Sequence, residues 1–317
     1  MQLLEIIKNR IIWIVFATVI FYIVFILISD AEKISEDFSQ IKPEFLVLIF
    51  LLVFLSHIVK SFRQKEFLKI IGEKIPFRQN LIIYMAGLSL INTPGGVGTF
   101  IKSYYLKEKA QVPVEKSISV IFWERYHDLL ACTAIILVSL VLYFSLISIS
   151  LIIISSIILI GVYLLMRMQS FPLSLYKKLS KTRFISKNFP DLGPSESFSI
   201  LANSKNMTKG WLLSGLGWAI DSLGVYVVFL ALNVDLGYLL TSQIYFTSLG
   251  YGALSLLPGG IGVHESMQDF LLLQQGLELH VASSLVVLSR LSTIWFATIL
   301  GIFFTRFAIR QQNDNTY

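Results

Sequence analysis

The stretch that decides the fold is Leu254-Ser255-Leu256-Leu257-Pro258-Gly259-Gly260-Ile261-Gly262-Val263-His264-Glu265. It lies inside a long apolar region in which a helix would otherwise continue. The proline lacks a backbone N–H and clashes with the preceding turn, so it ends a helix. The glycines after it tolerate backbone conformations that other residues avoid. Because lipid cannot hydrogen-bond the freed backbone groups, such a break must be buried in protein or face a wet cavity.

A second copy of this break lies 164 residues earlier, at Leu90–Phe100. The matching positions are Pro94, Gly95, Gly96 and Gly98 in the first copy and Pro258, Gly259, Gly260 and Gly262 in the second. Arg125 and Arg290 follow their copies at nearly equal distances. A single Pro-Gly-Gly is typical of an ordinary turn. Paired Pro/Gly interruptions in apolar segments of two halves indicate instead the central site of a transporter.

Composition places the chain in a membrane. The 317 residues are 55% hydrophobic and 15% charged, whereas soluble domains are about 25% charged. The net charge of +6 lies mostly in predicted loops, as in multi-pass membrane proteins, so we do not interpret it as a nucleic-acid signature. The single cysteine, Cys132, allows no internal disulfide. We find no nucleotide, metal or hydrolase motif, and therefore predict no cofactor, no metal and no enzymatic activity.

Apolar stretches predict the helices. We expect six full crossings. Four lie at Ile11–Ser29, Pro43–Lys60, Trp211–Leu232 and Leu279–Phe304. The other two are a helix that starts near Val114 and a helix that follows it after a break near Ser145–Ser150. We expect two hairpins that enter and leave on one side, Gln79–Asn92 with Val97–Lys107 and Gly237–Leu257 with Ile261–Gln275. Lys8 and Arg10 precede the first crossing, which is too long for a signal peptide and is interpreted as a retained helix.

Loop charge orients these segments. The first hairpin is flanked by basic residues, which favour the cytoplasm, and the second by acidic ones. We therefore predict an all-α integral membrane protein of two inverted repeats, with six full crossings, two re-entrant broken-helix hairpins and both termini cytoplasmic. It would be a single membrane domain, with repeats at about 43–146 and 211–309 and a connector at 147–210. If the first arm of each hairpin crosses fully, the repeats become parallel instead.

The densest polar cluster in an apolar helix contains Glu124, Arg125 and Asp128. Ionisable groups at membrane depth usually face the bundle interior or a watery cavity. In the functional interpretation, Arg125 receives an anionic headgroup, since arginine suits bidentate phosphate contact, and the carboxylates tune it. In the structural alternative the three residues only satisfy one another. We expect Asp221 and His57, at matching places in their helices, to make interhelical hydrogen bonds.

The second repeat offers Arg290, which has no carboxylate within four residues. We expect it to border a polar cavity and to meet Glu265, a lipid phosphate or water. Glu265 is also favourable simply at a helix N-terminus, and a lone His264 is more often structural. Lys102 could attract phosphate, but we favour a lysine that extends to the interface. Exposed N–H groups of the glycines would add a backbone anion site.

Taken together, these motifs resemble a known family. The order Pro-Gly-Gly-x-Gly, then Trp123-Glu124-Arg125-x-x-Asp128-Leu129, then Leu256 through Glu265 is similar to the lysylphosphatidylglycerol synthase transmembrane region, or flippase-like domain, over about residues 11–309. The resemblance implies lipid translocation, with aminoacylated phosphatidylglycerol or polyprenyl-phosphate-linked lipids as substrates. Two positions depart from the family pattern: Thr99 stands where Glu is frequent, and His264 where Arg is common. The sequence ends at Tyr317 with no soluble synthase domain, so lipid aminoacylation is not expected.

Two functions remain open at this point. The first is a flippase or scramblase for an anionic phosphate-bearing membrane lipid. Its headgroup would pass between the breaks of the two hairpins, Pro94–Gly98 and Pro258–Gly262, which we call the tips. The second is a membrane partner that holds a lipid synthase or glycosyltransferase without transporting anything. The sequence does not define the oligomeric state.

Overall fold

The computed structural model describes residues 20–94, 96–167 and 196–310. Within them the chain is helical, apart from turns and one isolated β-bridge. The helices are α1 (20–28), α2 (Ala31–Ser39), α3 (Pro43–Ile70), α4 (Phe77–Gly87), α5 (Ile101–Ala110), α6 (Val114–Leu140), α7 (Leu146–Arg167), α8 (Ser197–Leu201), α9 (Ser204–Ala231), α10 (Tyr238–Leu254), α11 (Val263–Leu273), α12 (Leu279–Arg290) and α13 (Phe296–Arg310). Short 3₁₀ turns, Leu88–Leu90 and Val97–Phe100, flank the first break, and a π turn, Leu291–Trp295, joins α12 to α13.

Four of these helical segments are long and apolar enough to cross a membrane: α3, α7, α9 and the continuous α12–α13 helix. The 27-residue α6 has comparable length but carries the predicted charge cluster in its middle. The prediction of an all-α integral membrane protein is therefore confirmed. The segment 11–19 of the first predicted crossing and the basic connector 168–195 lie outside the described residues.

Local sequence explains where the helices begin. Pro43 starts α3 at the position where a missing N–H costs nothing, and Pro113 immediately precedes α6. The side chain of Asn203 caps α9 by accepting from the backbone N–H of Lys205. Two apolar clusters then hold the bundle together, one centred on α9, α10 and α12 and the other on α3, α4 and α6.

The order of elements recurs along the chain. A long helix (α3, α9), a broken pair (α4–α5, α10–α11) and a second long helix (α6, α12–α13) follow one another twice. Packing between the halves is reciprocal. The first arm of each broken pair packs against the second long helix of the other half, α4 against α13 and α10 against α6. The short helix before each first long helix does the same, α2 against α12 and α8 against α6. Such reciprocity is expected of two repeats related by a pseudo-two-fold axis. That the repeats are inverted across the membrane remains a prediction.

Two helices extend beyond the bounds predicted from the sequence. The helix predicted at Pro43–Lys60 continues to Ile70, so Lys60 and Arg63 lie inside the protein and not in a cytoplasmic loop. The helix predicted from Trp211 begins at Ser204. Both extensions contain polar residues that a hydropathy criterion excludes, and the reason for their helicity is burial against other helices rather than lipid contact.

Candidate functional site

The two Pro-Gly-Gly tips touch each other. Pro94 and Pro258 form an isolated antiparallel β-bridge. Gly259, in the left-handed conformation at φ 61°, lies so close to Asn92 that an added Cβ would be 2.8 Å from its Oδ1. A side chain at this glycine would therefore disturb the contact. Gly95 lies outside the described residues.

At four of the glycines predicted to form a backbone anion site, the N–H group is already hydrogen-bonded within the protein. The N–H groups of Gly96 and Gly260 donate to the carbonyls of Thr93 and Leu257, at 2.8 and 2.9 Å. The N–H of Gly98 donates to the Thr93 hydroxyl at 2.6 Å, and that of Gly262 donates to Glu265 Oε2 at 2.7 Å. Because the tight turns satisfy these donors internally, none of the four is free for a phosphate.

A cavity of about 90 Å³ with many charged residues in its lining lies beside the tips, and we call it the chamber. It is lined from both halves of the chain, by α3, α4, α5 and α6 on one side and by α9, α10 and α12–α13 on the other. Its charged lining residues are Lys60, Arg63, Lys102, Glu124, Arg125, Asp128, Asp221 and Arg290. Five of the seven predicted substrate residues are in this set; Glu265 contacts it through Arg290, and His264 does not line it.

Ion pairs bridge helices around the chamber. Lys102 pairs with Glu124, both nearly fully buried. Arg63 NH1 lies 2.5 Å from Asp128 Oδ1, and the indole of Trp218 donates to the same oxygen at 2.9 Å. These contacts correct one expectation, because Lys102 does not extend to the interface. They also disagree with the structural alternative in which Glu124, Arg125 and Asp128 only satisfy one another, since Glu124 pairs with Lys102 and Asp128 pairs with Arg63.

Asp221 on α9 lines the chamber and contacts side chains of α3 and α10. Its carboxylate accepts from Ser56 at 2.9 Å and from Tyr245 at 3.2 Å, and Lys60 Nζ lies 3.5 Å away. The same Nζ is 3.4 Å from the centre of the Trp218 ring, a cation–π geometry. The expected interhelical hydrogen bonds of Asp221 are present. The Nδ1 atom of His57 is buried without a hydrogen-bond partner among the described residues.

Arg290 is buried and bonded to the second break, with α1 beside it. Its Nε donates to Glu265 Oε1 at 2.7 Å, and NH2 donates to the carbonyl of Gly259 at 2.6 Å. Tyr22 on α1 donates to the same Glu265 oxygen at 2.7 Å. Both charged side chains are essentially inaccessible. The expected contact between Arg290 and Glu265 is therefore present, and it ties the second tip to α12.

Arg125 is held much more loosely. Its NH2 donates to the Thr99 hydroxyl at 3.0 Å, and NH1 lies 3.6 Å from Asp128 Oδ2. That carboxylate already pairs with Arg63 at the shorter distance. The Arg125 side chain is 38% exposed, in contrast to 1% for Arg290. Arg125 is thus the accessible arginine of the pair.

An apolar groove of about 430 Å³ adjoins the chamber, between α6, α7, α10 and the tips. Arg125, Asp128, Trp218 and Leu249 line both spaces and form their boundary. His264 lines the groove rather than the chamber, and its Nε2 is paired with Gln268 at 2.9 Å. The site therefore combines a charged compartment with an apolar one.

Sequence reasoning missed Lys60, Arg63 and Trp218 as site residues. The signal that could have found the first two is their spacing, since His57, Lys60 and Arg63 repeat every three residues and share a helix face. Within the described part of the chain, no group of three His, Cys, Asp or Glu residues is arranged to hold a metal.

Fold and site together define a membrane protein that has four helical segments able to cross a bilayer and two contacting broken hairpins beside a cavity lined by charged residues. The chain belongs to the lysylphosphatidylglycerol synthase transmembrane region family, whose model matches residues 12–301. Among its relatives is a UPF0104 membrane protein of Methanocaldococcus jannaschii, 25% identical over 291 residues, 85% of this chain and 86% of the relative. Another, from Pyrococcus horikoshii, is 23% identical over 300 residues, 86% of this chain and 90% of the relative.

Proposed function

We propose that this protein moves an anionic, phosphate-bearing lipid across the membrane, and that it does so without chemical conversion. The observation that carries the proposal is the charge balance of the chamber. Among the described residues, five cations line it, while its own carboxylates and Glu265 supply four anions. Four of these cations have a carboxylate of their own, and Arg125 shares one.

An excess cation at membrane depth is costly. Even insertion measurements assign about 2.5–3.5 kcal/mol to an arginine at a helix centre. A phosphate offsets this cost because a guanidinium offers two parallel N–H donors to its oxygens. Arg125 is half-buried and lies at the boundary between the chamber and an apolar groove. This position suits an amphipathic anion, whose headgroup and chain can occupy the two spaces, better than a small soluble anion.

In this proposal the two tips are the elements that move. Their contact at Pro94 and Pro258 closes the route between the hairpins, so a headgroup passes only when they separate. Discontinuous helices near the membrane midplane serve this purpose in secondary transporters. Membership of a family named for a phospholipid synthase supports a lipid as the cargo.

Reconstitution tests the proposal. The purified protein is placed in liposomes containing trace fluorescent phosphatidate, phosphatidylglycerol, polyprenyl phosphate or phosphatidylcholine, and accessibility of the probe lipid to a membrane-impermeant quencher is followed. We expect faster exchange of at least one anionic lipid than in protein-free vesicles. Rates equal to those of empty vesicles for every phosphate-bearing lipid would refute transport and favour the membrane-partner alternative.

A further inference from the structure

We propose that the apolar groove binds one hydrocarbon chain of the lipid whose phosphate lies at Arg125. This inference rests on the proposed function and extends it, since the chain would leave the bilayer and enter the protein. The groove and the chamber share the side chains of Arg125 and Trp218. A ligand that occupies both spaces therefore combines an anionic group with an apolar chain in one molecule.

The interior of the groove is built for an apolar occupant. Its wall contains Ile136, Leu151 and Phe246, which are 2%, 4% and 1% exposed. Contact with these side chains removes the apolar surface of a hydrocarbon chain from water, which favours such an occupant. At about 430 Å³ the groove has room for an extended chain.

The mouth of the groove is bordered by exposed apolar side chains. Ile154 and Ile158 on α7 are 38% and 39% exposed, and Leu254 and Leu256 on the opposite rim are 41% and 67% exposed. A lipid chain can therefore enter sideways between α7 and the second tip. Leu256 adopts a left-handed backbone conformation, φ 54°, which is unfavourable for leucine and costs about 1–3 kcal/mol. The rim thus holds a strained apolar residue where the chain would pass.

The groove lies on the side of the second hairpin that faces α6 and α7. On the other side, α1 covers the hairpin: Phe21 lies 3.6 Å from a Cβ built on Gly262, and Tyr22 bonds Glu265. Arg290 is therefore screened from lipid, whereas Arg125 has an open apolar path beside it. We infer that chain entry takes place along α7.

Neighbouring isoleucines on α7 provide a matched test. Ile158→Trp narrows the mouth, whereas Ile157→Trp changes an adjacent residue that is 66% exposed and does not line the groove. Leu254→Trp tests the opposite rim. Both groove positions are surface-accessible, so the fold should tolerate them. Binding of dioleoyl phosphatidate, of dioleoyl phosphatidylcholine and of glycerol 3-phosphate is measured by native mass spectrometry and by titration in detergent.

We expect wild type to bind dioleoyl phosphatidate at least tenfold more tightly than phosphatidylcholine or glycerol 3-phosphate. Ile158→Trp and Leu254→Trp should lose this advantage and approach the affinity for glycerol 3-phosphate, while Ile157→Trp should bind like wild type. If all three variants bind dioleoyl phosphatidate as tightly as wild type does, the groove inference is wrong and the transport proposal is unaffected. Binding of phosphatidate no tighter than glycerol 3-phosphate by wild type would also overturn it. Failure of transport itself is seen only in the liposome assay.

Discussion

Arg290 and Glu265 form a closed ion pair, with Nε and Oε1 2.7 Å apart and both side chains almost completely buried. The pair joins α12 to the start of α11, just after the second break. The corresponding arginine of the first half, Arg125, meets the neutral Thr99 hydroxyl instead. The two halves therefore share a plan but differ in charge, with one arginine fixed and the other accessible.

The first prediction concerns the fixed arginine. Glu265→Gln leaves Arg290 buried without a counter-charge, and removing one partner of a buried ion pair costs about 3–5 kcal/mol. We expect a large drop in the midpoint of thermal unfolding in detergent. Glu278→Gln is the control, because that side chain is 75% exposed, and surface changes are usually within about 0.5 kcal/mol. Equal midpoints for the two variants would show that the pair contributes no stability.

The second prediction concerns the contact between the tips. In a Cys132→Ser background, cysteines replacing Pro94 and Pro258 should form a disulfide on mild oxidation. Two prolines have no N–H to exchange and so oppose each other as a non-hydrogen-bonded pair, whose Cα atoms are about 4.5 Å apart, within the range of a disulfide. Cross-linking should stop lipid exchange, and reduction should restore it. Each single cysteine variant controls for loss of the proline. Undiminished exchange by the cross-linked protein would mean that the tips do not need to separate.

The breaks and the helical class could be predicted from sequence because each leaves a local signal, whereas Glu265 was one of three partners that the sequence offered for Arg290. Pro258 ends a helix wherever it stands, and Arg290 needs a partner at its depth. The site residues on α3 could not be found in this way. Lys60 and Arg63 follow the apolar run, and loop-charge counting places such residues in the cytoplasm.

What keeps these two side chains inside is distant in the sequence. Asp128 lies 65 residues beyond Arg63, and Asp221 lies far beyond Lys60 on α9. At 28 residues α3 is about 42 Å long, more than the hydrocarbon core requires, so its polar end packs against other helices. An ion pair between residues far apart in the sequence cannot be recognised from the local sequence pattern. The same applies to Glu124, whose partner Lys102 is on another helix.

The third prediction addresses orientation, which rests on loop charge alone. Ser35 on α2 and Lys74 after α3 are both exposed. In a Cys132→Ser background, Ser35→Cys should react with a membrane-impermeant maleimide from outside the cell, and Lys74→Cys only after the membrane is opened. Labelling of Lys74→Cys in intact cells would reverse the predicted topology.

The central claim is that Arg125 receives the phosphate of a transported lipid. The most direct measurement compares exchange of an anionic lipid in liposomes by wild type, Arg125→Gln, Arg125→Lys and Arg306→Gln, the last an exposed arginine distant from the chamber. We expect at least a tenfold loss for Arg125→Gln, partial activity for Arg125→Lys because charge survives without bidentate geometry, and wild-type rates for Arg306→Gln. Wild-type exchange by folded Arg125→Gln would contradict the account.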